Sequence, residues 1–424
     1  MNVAGWVRVP GDKSITHRAL LLAAMARGVS YLGSPLTSLD ARSTARVLRQ
    51  LGSTVSALTP GRPVRIVGKG RLLPPRQVLN CGNSGTTARL ILGLLSAHRF
   101  LARLTGDASL RRRPMRRVTQ PLELMGAKIT SSVSDGLPLD IRGGRLKPLR
   151  YDMPVASAQV KSALLLAGYA GKVNVLVREP TGRSRDHTER MLRGLGITVE
   201  EKNGWIEFSP GSAIPPFEVQ VPGDVSSAAF LVGAALLAEG GELGIHAVGV
   251  NPTRTGFLNV LARMGAMVDL VETSNEAGEP VGDIIARPSE LRGVEVASAE
   301  IPGLIDEIPL LAVLATRARG TTTFRDAGEL RVKESDRLGL LASNIRRLGG
   351  NAVVEGDDLV VEGSLRPPSG RVVTAGDHRL AMAFAVLGTV PRSRVRVDNP
   401  GCADVSFPGF HPILKSIAAR PNRG

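Results

Sequence analysis

A helix-ending motif of the form apolar-x-x-apolar-Gly recurs five times along the 424-residue chain. The motifs end at Gly52, Gly126, Gly196, Gly265 and Gly349. Successive glycines are 74, 70, 69 and 84 residues apart, and a pair of strands is predicted after each. Glycine commonly follows a helix because it adopts the left-handed conformation that ends the helix. Self-similarity at one long period predicts a fold that is built from repeated units.

A second class of helix, rich in Ala and Leu on most of its faces, is predicted six times. These helices cover residues 13–27, 84–97, 158–170, 225–238, 305–316 and 378–387. Helices that are apolar on most faces are expected to be buried. Gly followed by Asp or Asn precedes several of them, as at Gly11-Asp12 and Gly82-Asn83, and Asp and Asn are good N-caps.

The two helix classes and their strands combine into one unit: strand, buried helix, strand, outer helix and strand pair. Six such units of about 71 residues fill the chain. We therefore predict an α/β fold of two three-unit domains, residues 12–222 and residues 1–11 with 223–424. The N-terminal strand at residues 5–9 is expected to supply the piece that the sixth unit lacks. A continuous solenoid is the alternative, but a solenoid would not need this strand.

The chain carries a formal charge of +16, and Arg outnumbers Lys by 45 to 9. Arg binds carboxylates and phosphates as a fixed fork of donors. This balance predicts an anionic partner, which is nucleic acid, anionic lipid or an acidic metabolite. Aromatic residues make up only 3% of the chain, which leaves few platforms on which bases could stack. Acidic metabolites are therefore favoured over nucleic acid.

Several protein classes are excluded by local sequence. The longest apolar stretches, such as residues 228–238, are shorter than the roughly 18–20 residues that a membrane span needs. Residues 1–10 lack the basic-then-apolar pattern of a secretory signal. Cys81 and Cys402 form no disulfide framework and match no metal-ligand spacing. We therefore expect a cytoplasmic enzyme with no metal site and no membrane partner.

Polar and charged residues occur at the starts of the predicted buried helices. They are Lys13-Ser14, Asn83-Ser84-Gly85, Ser157-Ala158-Gln159, Asp306-Glu307 and Asp377-His378-Arg379. A helix N-terminus carries about half a positive charge and unpaired N–H groups, so it attracts anions. If the helices of each domain point the same way, their N-termini converge on one surface. The pattern predicts an anion-binding cleft between the two domains.

Seven motifs follow one another in chain order. They are PGDKSITHR (10–18), GNSGTTAR (82–89), RPM (113–115), SAQVKS (157–162), SRDHTE (184–189), RVKESDRL (331–338) and GDHR (376–379). With these motifs, nearly the whole chain resembles the 3-phosphoshikimate 1-carboxyvinyltransferases, also called EPSP synthases, of the enolpyruvyl transferase family. The family's fold is an inside-out α/β barrel of two domains, each with three βαβαββ repeats, in agreement with the repeat pattern.

The resemblance implies a reaction between two small polyanions. The enolpyruvyl group of phosphoenolpyruvate is transferred to the 5-hydroxyl of shikimate 3-phosphate through a tetrahedral ketal, and phosphate is released. The resemblance implies no metal and no organic cofactor. We expect a monomer whose partners are these two substrates.

The resemblance also assigns binding residues. Those implied for shikimate 3-phosphate are Lys13, Ser14, Arg18, Ser157, Ala158, Gln159, Arg185, Asp306 and Lys333. Those implied for phosphoenolpyruvate are Lys13, Asn83, Gly85, Arg113, Gln159, Arg337 and Arg379, with Arg89 assisting. Forked Arg donors suit a carboxylate and a phosphate. Glycine at position 85 lets the backbone approach a ligand, so a methyl group there should crowd phosphoenolpyruvate and weaken an inhibitor such as glyphosate.

Three residues are implied as catalytic. Asp306 matches the family's acceptor of the proton from the 5-hydroxyl, and Glu334 matches the residue that protonates and deprotonates the methylene carbon. Lys13 contacts both substrates. General acid–base steps of this kind typically contribute about 10²–10⁴-fold to the rate.

One segment departs from the family pattern. Many members carry a Lys in the segment that matches residues 403–408, and this chain has none there. The amino-acid sequences of the SAQ and SRDHTE motifs are similar to those of the second of the family's two sequence classes.

Two other functions compete with this interpretation. UDP-N-acetylglucosamine 1-carboxyvinyltransferase shares the fold, but its usual loop has a Cys five residues before the Arg-Pro pair, where this chain has Ala108. A nucleic-acid-binding or RNA end-processing protein of related repeats would need a nucleotide-binding signature, and the sequence contains no GxxxxGK[ST].

Overall fold

The computed structural model describes residues 2–133, 135–180 and 183–418, so the outer ends of the predicted second domain, Met1 and Gly424, lie outside the described residues. The strands are β1 (Asn2–Arg8), β2 (Arg27–Gly33), β3 (Thr54–Val55), β4 (Val64–Lys69), β5 (Leu79–Asn80), β6 (Leu101–Thr105), β7 (Lys128–Ser131), β8 (Leu139–Arg142), β9 (Leu149–Asp152), β10 (Val175–Arg178), β11 (Val199–Lys202), β12 (Trp205–Phe208), β13 (Glu218–Gln220), β14 (Gly240–Gly249), β15 (Met267–Glu276), β16 (Glu279–Arg287), β17 (Glu295–Val296), β18 (Thr321–Phe324), β19 (Asn351–Glu355), β20 (Asp358–Glu362), β21 (Ser369–Val372) and β22 (Arg394–Val397).

Helices alternate with these strands along the chain. The α-helices are α1 (Lys13–Met25), α2 (Leu39–Gln50), α3 (Gly85–Leu95), α4 (Ala108–Arg111), α5 (Arg116–Leu124), α6 (Ala158–Gly171), α7 (His187–Gly194), α8 (Val225–Leu236), α9 (Gly256–Arg263), α10 (Ile301–Leu304), α11 (Ile308–Ala315), α12 (Arg337–Arg347), α13 (His378–Leu387) and α14 (Phe410–Ser416). Short 3-10 turns cover Ser298–Glu300, Ala327–Val332 and Pro400–Val405. Among the described helices, none combines the length and the hydropathy needed to cross a bilayer.

The chain divides into two compact units. The N-terminal unit comprises residues 11–221 together with 275–279, and the C-terminal unit comprises residues 1–10, 222–274 and 280–424. Each unit has its own hydrophobic core. Residues 275–279 comprise the end of β15, the turn at residues 277–278 and the first residue of β16, and the rest of both strands belongs to the C-terminal unit.

The N-terminal unit contains three sheets with one shared pattern. Their strand orders are β13-β2-β4-β3, β5-β6-β8-β7 and β9-β10-β12-β11. In each sheet the first pair is parallel and the remaining pairs are antiparallel, as β10 is parallel to β9 and antiparallel to β12. The recurrence of this arrangement confirms the strand-helix-strand-helix-hairpin unit that the glycine spacing predicted.

Among the described residues, two sheets of the C-terminal unit repeat this strand order, and the third sheet has only two strands. The strand orders in this unit are β1-β14-β16-β15, β17-β18-β20-β19 and β21-β22. The N-terminal strand β1 pairs in parallel with β14, with Val3 opposite Gly241. It therefore completes the sheet around β14, and not the sixth unit as the sequence predicted. A backbone hydrogen bond of 3.1 Å from Ala4 N–H to Ile417 O joins the same strand to the end of the described chain.

The buried helices lie near the predicted segments, because burial of their apolar faces fixes them in the cores. Every residue of α8 is buried, for example. The predicted helix at 305–316 differs, since α10 ends at Leu304 and α11 begins at Ile308. Pro309 accounts for the late start, because proline is tolerated in the first turn of a helix but not in its interior. Asp306 therefore lies in the turn between two helices and not at the start of one.

The outer helices end as the repeated motif predicted. The glycines that follow them, Gly52, Gly126, Gly196, Gly265 and Gly349, have φ angles between +79° and +109°. Residues with a Cβ adopt this conformation only with strain, so the glycine at this point of each repeat is required by the backbone.

Candidate active site

The start of α1 presents a partly exposed ammonium group. Asp12 caps the helix by accepting a hydrogen bond of 2.8 Å from Ile15 N–H. Lys13, in the first turn, forms an ion pair with the buried carboxylate of Asp40 in α2. The Lys13 side chain is 23% exposed. An anion can therefore reach this ammonium at the positive end of the helix.

Arg18, one turn further along α1, is buried and held in one orientation. Its Nε donates to Thr188 Oγ1 at 2.7 Å, one terminal nitrogen donates to Ser162 Oγ at 2.8 Å, and the other donates to Ser14 O at 3.0 Å. Burial lowers the pKa of Arg18 to about 10. The guanidinium thus remains cationic at neutral pH, and it lies against the predicted ligand residue Ser14.

The turn before α3 brings two more predicted residues together. Arg113 donates to Asn83 Oδ1 at 2.7 Å, and the amide nitrogen of Asn83 donates to Asp107 at 2.6 Å. A Cβ at Gly85 would lie 3.2 Å from a terminal nitrogen of Arg89 and 3.4 Å from one of Arg113. Position 85 is therefore bordered by two guanidinium groups, with little room for a side chain.

Gln159 connects α6 to α3. Arg89 donates to Gln159 Oε1 at 2.6 Å, and Gln159 Nε2 donates to Thr86 Oγ1 at 3.1 Å. Ser157 is the N-cap of α6, so that Ala158 is the first helical residue. Arg185 is half-buried in the connection between β10 and α7.

In the C-terminal unit, Arg337 is surrounded by carboxylates. Its side chain is 1% exposed, and Nε donates to Asp377 Oδ2 at 2.7 Å. The terminal nitrogens lie 2.5 Å from Glu334 Oε2 and 3.6 Å from Asp306 Oδ1. Burial lowers the pKa of Arg337, but these three carboxylates outweigh burial and raise it overall. Both predicted acid–base residues are thus held by one buried cation.

Asp377 holds the guanidinium of Arg337 in place. It is fully buried at the N-terminus of α13, where it also accepts hydrogen bonds from Arg379 N–H at 2.9 Å and Ser335 Oγ at 3.0 Å. Burial opposes ionisation of Asp377, but the charges of Arg337 and His378 and the hydrogen bond from Arg337 together outweigh burial, so the pKa of Asp377 lies below its ordinary value. The sequence marked Asp377 only as a helix cap, and its contact with Arg337 joins segments 40 residues apart.

Arg379 approaches Asp306 from the other side. One terminal nitrogen donates to the Asp306 backbone oxygen at 3.0 Å, and the other lies 3.4 Å from Asp306 Oδ2. The Asp306 carboxylate is therefore flanked by the guanidiniums of Arg337 and Arg379. Lys333 Nζ donates to Glu329 Oε1 at 2.8 Å.

The sequence marked Glu307 only as a charged residue at a predicted helix start, and its buried contacts beside Asp306 were not predicted. Glu307 accepts a hydrogen bond from Ser226 Oγ, and its Oε1 lies 3.6 Å from Arg254 and 3.9 Å from Arg379. Arg254 donates to Ser226 Oγ at 2.5 Å. These residues come from three distant segments, so no local spacing could have indicated them.

The predicted site residues form two groups, one in each unit. Lys13, Ser14, Arg18, Asn83, Gly85, Arg113, Ser157, Ala158, Gln159 and Arg185 belong to the N-terminal unit. Asp306, Lys333, Glu334, Arg337 and Arg379 belong to the C-terminal unit. The first group supplies cationic and hydroxyl donors that suit anions. The second group supplies carboxylates that can exchange protons beside guanidinium groups. The cleft between the units stays a prediction.

Known proteins match the chain over nearly its full length. A family model described as EPSP synthase (3-phosphoshikimate 1-carboxyvinyltransferase) matches residues 1–414. The 3-phosphoshikimate 1-carboxyvinyltransferase of Desulforamulus reducens is 44% identical over 420 residues, which are 98% of this chain and 97% of the relative. That of Desulforudis audaxviator is 46% identical over 419 residues, with 98% and 97% covered.

Solved structures agree with these sequence relatives. An EPSP synthase from Acinetobacter baumannii matches with a TM-score of 0.87 and 38% identity, over 99% of this chain and 97% of that chain. An enolpyruvyl transferase from Streptomyces tendae matches with a TM-score of 0.77 at 18% identity, over 99% of this chain and 96% of that chain, which shows a shared fold. The predicted α/β fold of this family is thereby confirmed. The chain belongs to the EPSP synthase family, the 3-phosphoshikimate 1-carboxyvinyltransferases.

Proposed function

We propose that this chain transfers the enolpyruvyl group of phosphoenolpyruvate to the 5-hydroxyl of shikimate 3-phosphate and releases phosphate. The observation that carries the proposal is the placement of Asp306 and Glu334 around the buried guanidinium of Arg337, with Arg379 on the far side of Asp306. This arrangement offers an acid–base pair and two forked cations in one place. A reaction between a carboxylate-bearing phosphate ester and an alcohol needs both.

The N-terminal unit supplies most of the contacts to shikimate 3-phosphate in this proposal. The ligand residues are Lys13, Ser14, Arg18, Ser157, Ala158, Gln159 and Arg185, and Asp306 and Lys333 of the C-terminal unit complete the set. Arg18 is pre-oriented by Thr188 and Ser162, so little conformational entropy is lost when it binds shikimate 3-phosphate.

Both units contribute to phosphoenolpyruvate binding. Arg113 and Asn83, which contact each other, bind it together with Lys13, Gln159 and the backbone at Gly85. Arg337 and Arg379 bind its carboxylate or phosphate from the C-terminal unit. A guanidinium can offer two parallel N–H donors, which match the paired oxygens of these anions.

The proposed chemistry has an addition step and an elimination step. In the addition, Asp306 accepts the proton of the 5-hydroxyl, whose oxygen bonds to C2 of phosphoenolpyruvate, while protonated Glu334 donates its proton to C3. The product is a tetrahedral ketal with a methyl group. In the elimination, Glu334 removes a proton from that methyl group, the bond from C2 to the phosphate oxygen breaks, and the departing phosphate takes the proton held by Asp306. Lys13 balances negative charge on both substrates.

We further propose that the protein works as a monomer in the cytoplasm, in two domains divided as the sequence predicts. The reaction needs no metal, organic cofactor, membrane or nucleic acid. Every proton transfer and charge in the scheme above is assigned to a side chain of this protein or to its two substrates.

Phosphate release from phosphoenolpyruvate tests the proposal. We expect release with shikimate 3-phosphate and none with UDP-N-acetylglucosamine or without an acceptor. Shikimate 3-phosphate should also raise the melting temperature, because a ligand that binds only the folded state stabilises it. A single-stranded oligonucleotide at moderate salt serves as the control. Release with UDP-N-acetylglucosamine alone, or stabilisation by the oligonucleotide alone, would contradict the proposal.

A further inference from the structure

A buried ion cluster joins α6 and α7 of the N-terminal unit. Lys161 of α6 is 1% exposed, and its Nζ lies 2.9 Å from Glu179 Oε2 and 2.9 Å from Glu189 Oε1. Glu179 follows β10, and Glu189 lies in the first turn of α7. Burial lowers the pKa of Lys161, but the two carboxylates outweigh burial and raise it overall. A buried ion pair adds little stability over an apolar contact, so this cluster calls for another role.

The cluster fixes the backbone directly before Arg185. Lys161 Nζ lies 3.4 Å from Ser184 O, to which it donates, and Ser184 N–H donates to Glu179 Oε2 at 3.2 Å. Both backbone polar groups of Ser184 are thus held by the cluster. Arg185 is the next residue, so its Cα position depends on Lys161 and Glu179.

The cluster and the segment that it fixes both border a cavity. Its volume is about 260 Å³, and its lining includes Lys161, Glu179, Ser184, Asp186 and Arg193. Side chains that border a cavity have fewer packing contacts on that side. The position of residues 183–186 therefore depends more on their hydrogen bonds to the cluster than it would in a close-packed core.

The same cluster is one residue away from the hydroxyl groups that hold Arg18. Ser162 follows Lys161 in α6, and Thr188 precedes Glu189 in α7. Thr188 Oγ1 donates to Ser162 Oγ at 2.7 Å, and Arg18 donates to both oxygens. The Lys161–Glu189 ion pair and the Ser162–Thr188 hydrogen bond are thus adjacent ties between the two helices.

We propose that Lys161, Glu179 and Glu189 are positioning residues that, through Ser184, place Arg185 for the phosphate group of shikimate 3-phosphate. This inference rests on the proposed function. None of the three is assigned a contact with either substrate, and none is assigned a proton transfer. Their effect should therefore appear as affinity for the phosphate group and not as turnover.

The decisive measurement is the dissociation constant of shikimate 3-phosphate, determined by titration calorimetry, for three variants of the full chain. We expect Lys161→Met to raise it about tenfold and Glu189→Gln at least about threefold. Lys161→Arg keeps the positive charge, and the adjoining cavity leaves space for the larger group. We therefore expect its dissociation constant for shikimate 3-phosphate to stay within about threefold of the wild-type value. The dissociation constant of shikimate, which lacks the phosphate, should change by less than about threefold in all variants, as should kcat and the KM of phosphoenolpyruvate.

Arg178→Met is the matched control. Arg178 also pairs with a carboxylate, at 2.5 Å from Asp152, but the two side chains are 48% and 59% exposed. Exposed ion pairs contribute little, so this variant should bind like the wild type.

Lys161→Met leaves two buried carboxylates without their counterion and is the variant at risk of misfolding. Glu189→Gln keeps one carboxylate for the ammonium, so it decides the question if Lys161→Met does not fold. Unchanged affinity for shikimate 3-phosphate in folded variants would overturn this inference alone. Equal loss of affinity for shikimate and shikimate 3-phosphate would also overturn it. A wild-type protein that turns over neither substrate would overturn the proposed function and this inference together.

Discussion

Nε of Arg337 donates a hydrogen bond of 2.7 Å to Oδ2 of Asp377, and both side chains are fully enclosed. Because Glu334 and Asp306 contact the terminal nitrogens of the same guanidinium, the position of Asp377 determines where both predicted acid–base groups lie. Asp377, the cap of α13, therefore also holds the two predicted acid–base residues of the C-terminal unit in place.

Asp377→Asn should separate the role of Asp377 as the cap of α13 from its role as the charged partner of Arg337. Asn caps a helix about as well as Asp, so the substitution removes the charge and keeps the cap. We expect the free energy of unfolding, measured with urea at pH 7, to fall by about 1–3 kcal/mol, since a buried donor loses its charged acceptor. The pKa of Asp377 is lowered, so its contribution is complete above about pH 4 and is lost as the pH falls through the folded-state value. Asp336→Asn, at a cap that is 52% exposed, is the control and should change stability little. Equal effects of the two substitutions would contradict the assignment.

Asp306→Asn and Glu334→Gln should each reduce kcat. Each substitution keeps the shape of the side chain and removes its capacity to take up and release a proton. We expect a decrease of at least about 100-fold in steady-state phosphate release, the lower bound for a general acid–base step. Glu242→Gln, which changes a carboxylate that is 50% exposed in β14, controls for the loss of one negative charge. Near-normal turnover in either site variant would remove that residue from the mechanism.

Gly85→Ala should weaken phosphoenolpyruvate binding. The new methyl carbon would lie 3.2 Å from Arg89, whose guanidinium must give way by a few tenths of an ångström, and 3.4 Å from Arg113, so it would occupy space between the two guanidiniums. We expect the KM of phosphoenolpyruvate to rise about tenfold and inhibition by glyphosate to weaken by at least that factor. Gly144→Ala is the matched control, because a Cβ at that position has no neighbour within 4 Å among the described residues. If both constants stay at their wild-type values, residue 85 does not border the ligand.

His17→Asn should flatten the dependence of stability on pH. His17 is completely buried, its Nδ1 lies 2.6 Å from Thr44 Oγ1, and burial lowers its pKa to about 3. The unfolded chain takes up a proton below its ordinary pKa of about 6.5, and the folded chain does not, so the free energy of unfolding falls as the solution is acidified. Between about pH 6 and pH 4.5, urea titrations should show a slope about 1.4 kcal/mol per pH unit smaller in the variant than in the wild type. His411→Asn, at a partly exposed histidine, is the control, and an equal slope in His17→Asn and the wild type would refute the prediction.

Local sequence rules predicted the repeated parts of the fold well. The positive φ angles at Gly52 and its four counterparts follow from a backbone requirement that involves only the adjacent helix. The buried helices follow from composition, since a helix that is apolar on all sides has no stable place at the surface. The start of α11 was missed by three residues because Pro309 was not weighed against the apolar pattern.

Long-range contacts could not be predicted in the same way. The choice of β14 as the partner of β1 depends on the packing of strands more than 200 residues apart. Glu307, Ser226 and Arg254 meet only after three segments have folded together. The motif resemblance did identify Asp306, Glu334 and Arg337, and the structure brings them into contact, but their chemical roles stay predictions.

The pairing of Asn2 with Gly240 imposes an order on biosynthesis. When β1 leaves the ribosome, its partner strand has not been translated, and residues 11–221 of the N-terminal unit are made before β14 exists. β1 therefore has no strand partner until the chain has been translated past residue 240. An excised N-terminal unit should accordingly begin after β1, because that strand has no place to pair without the second half of the chain.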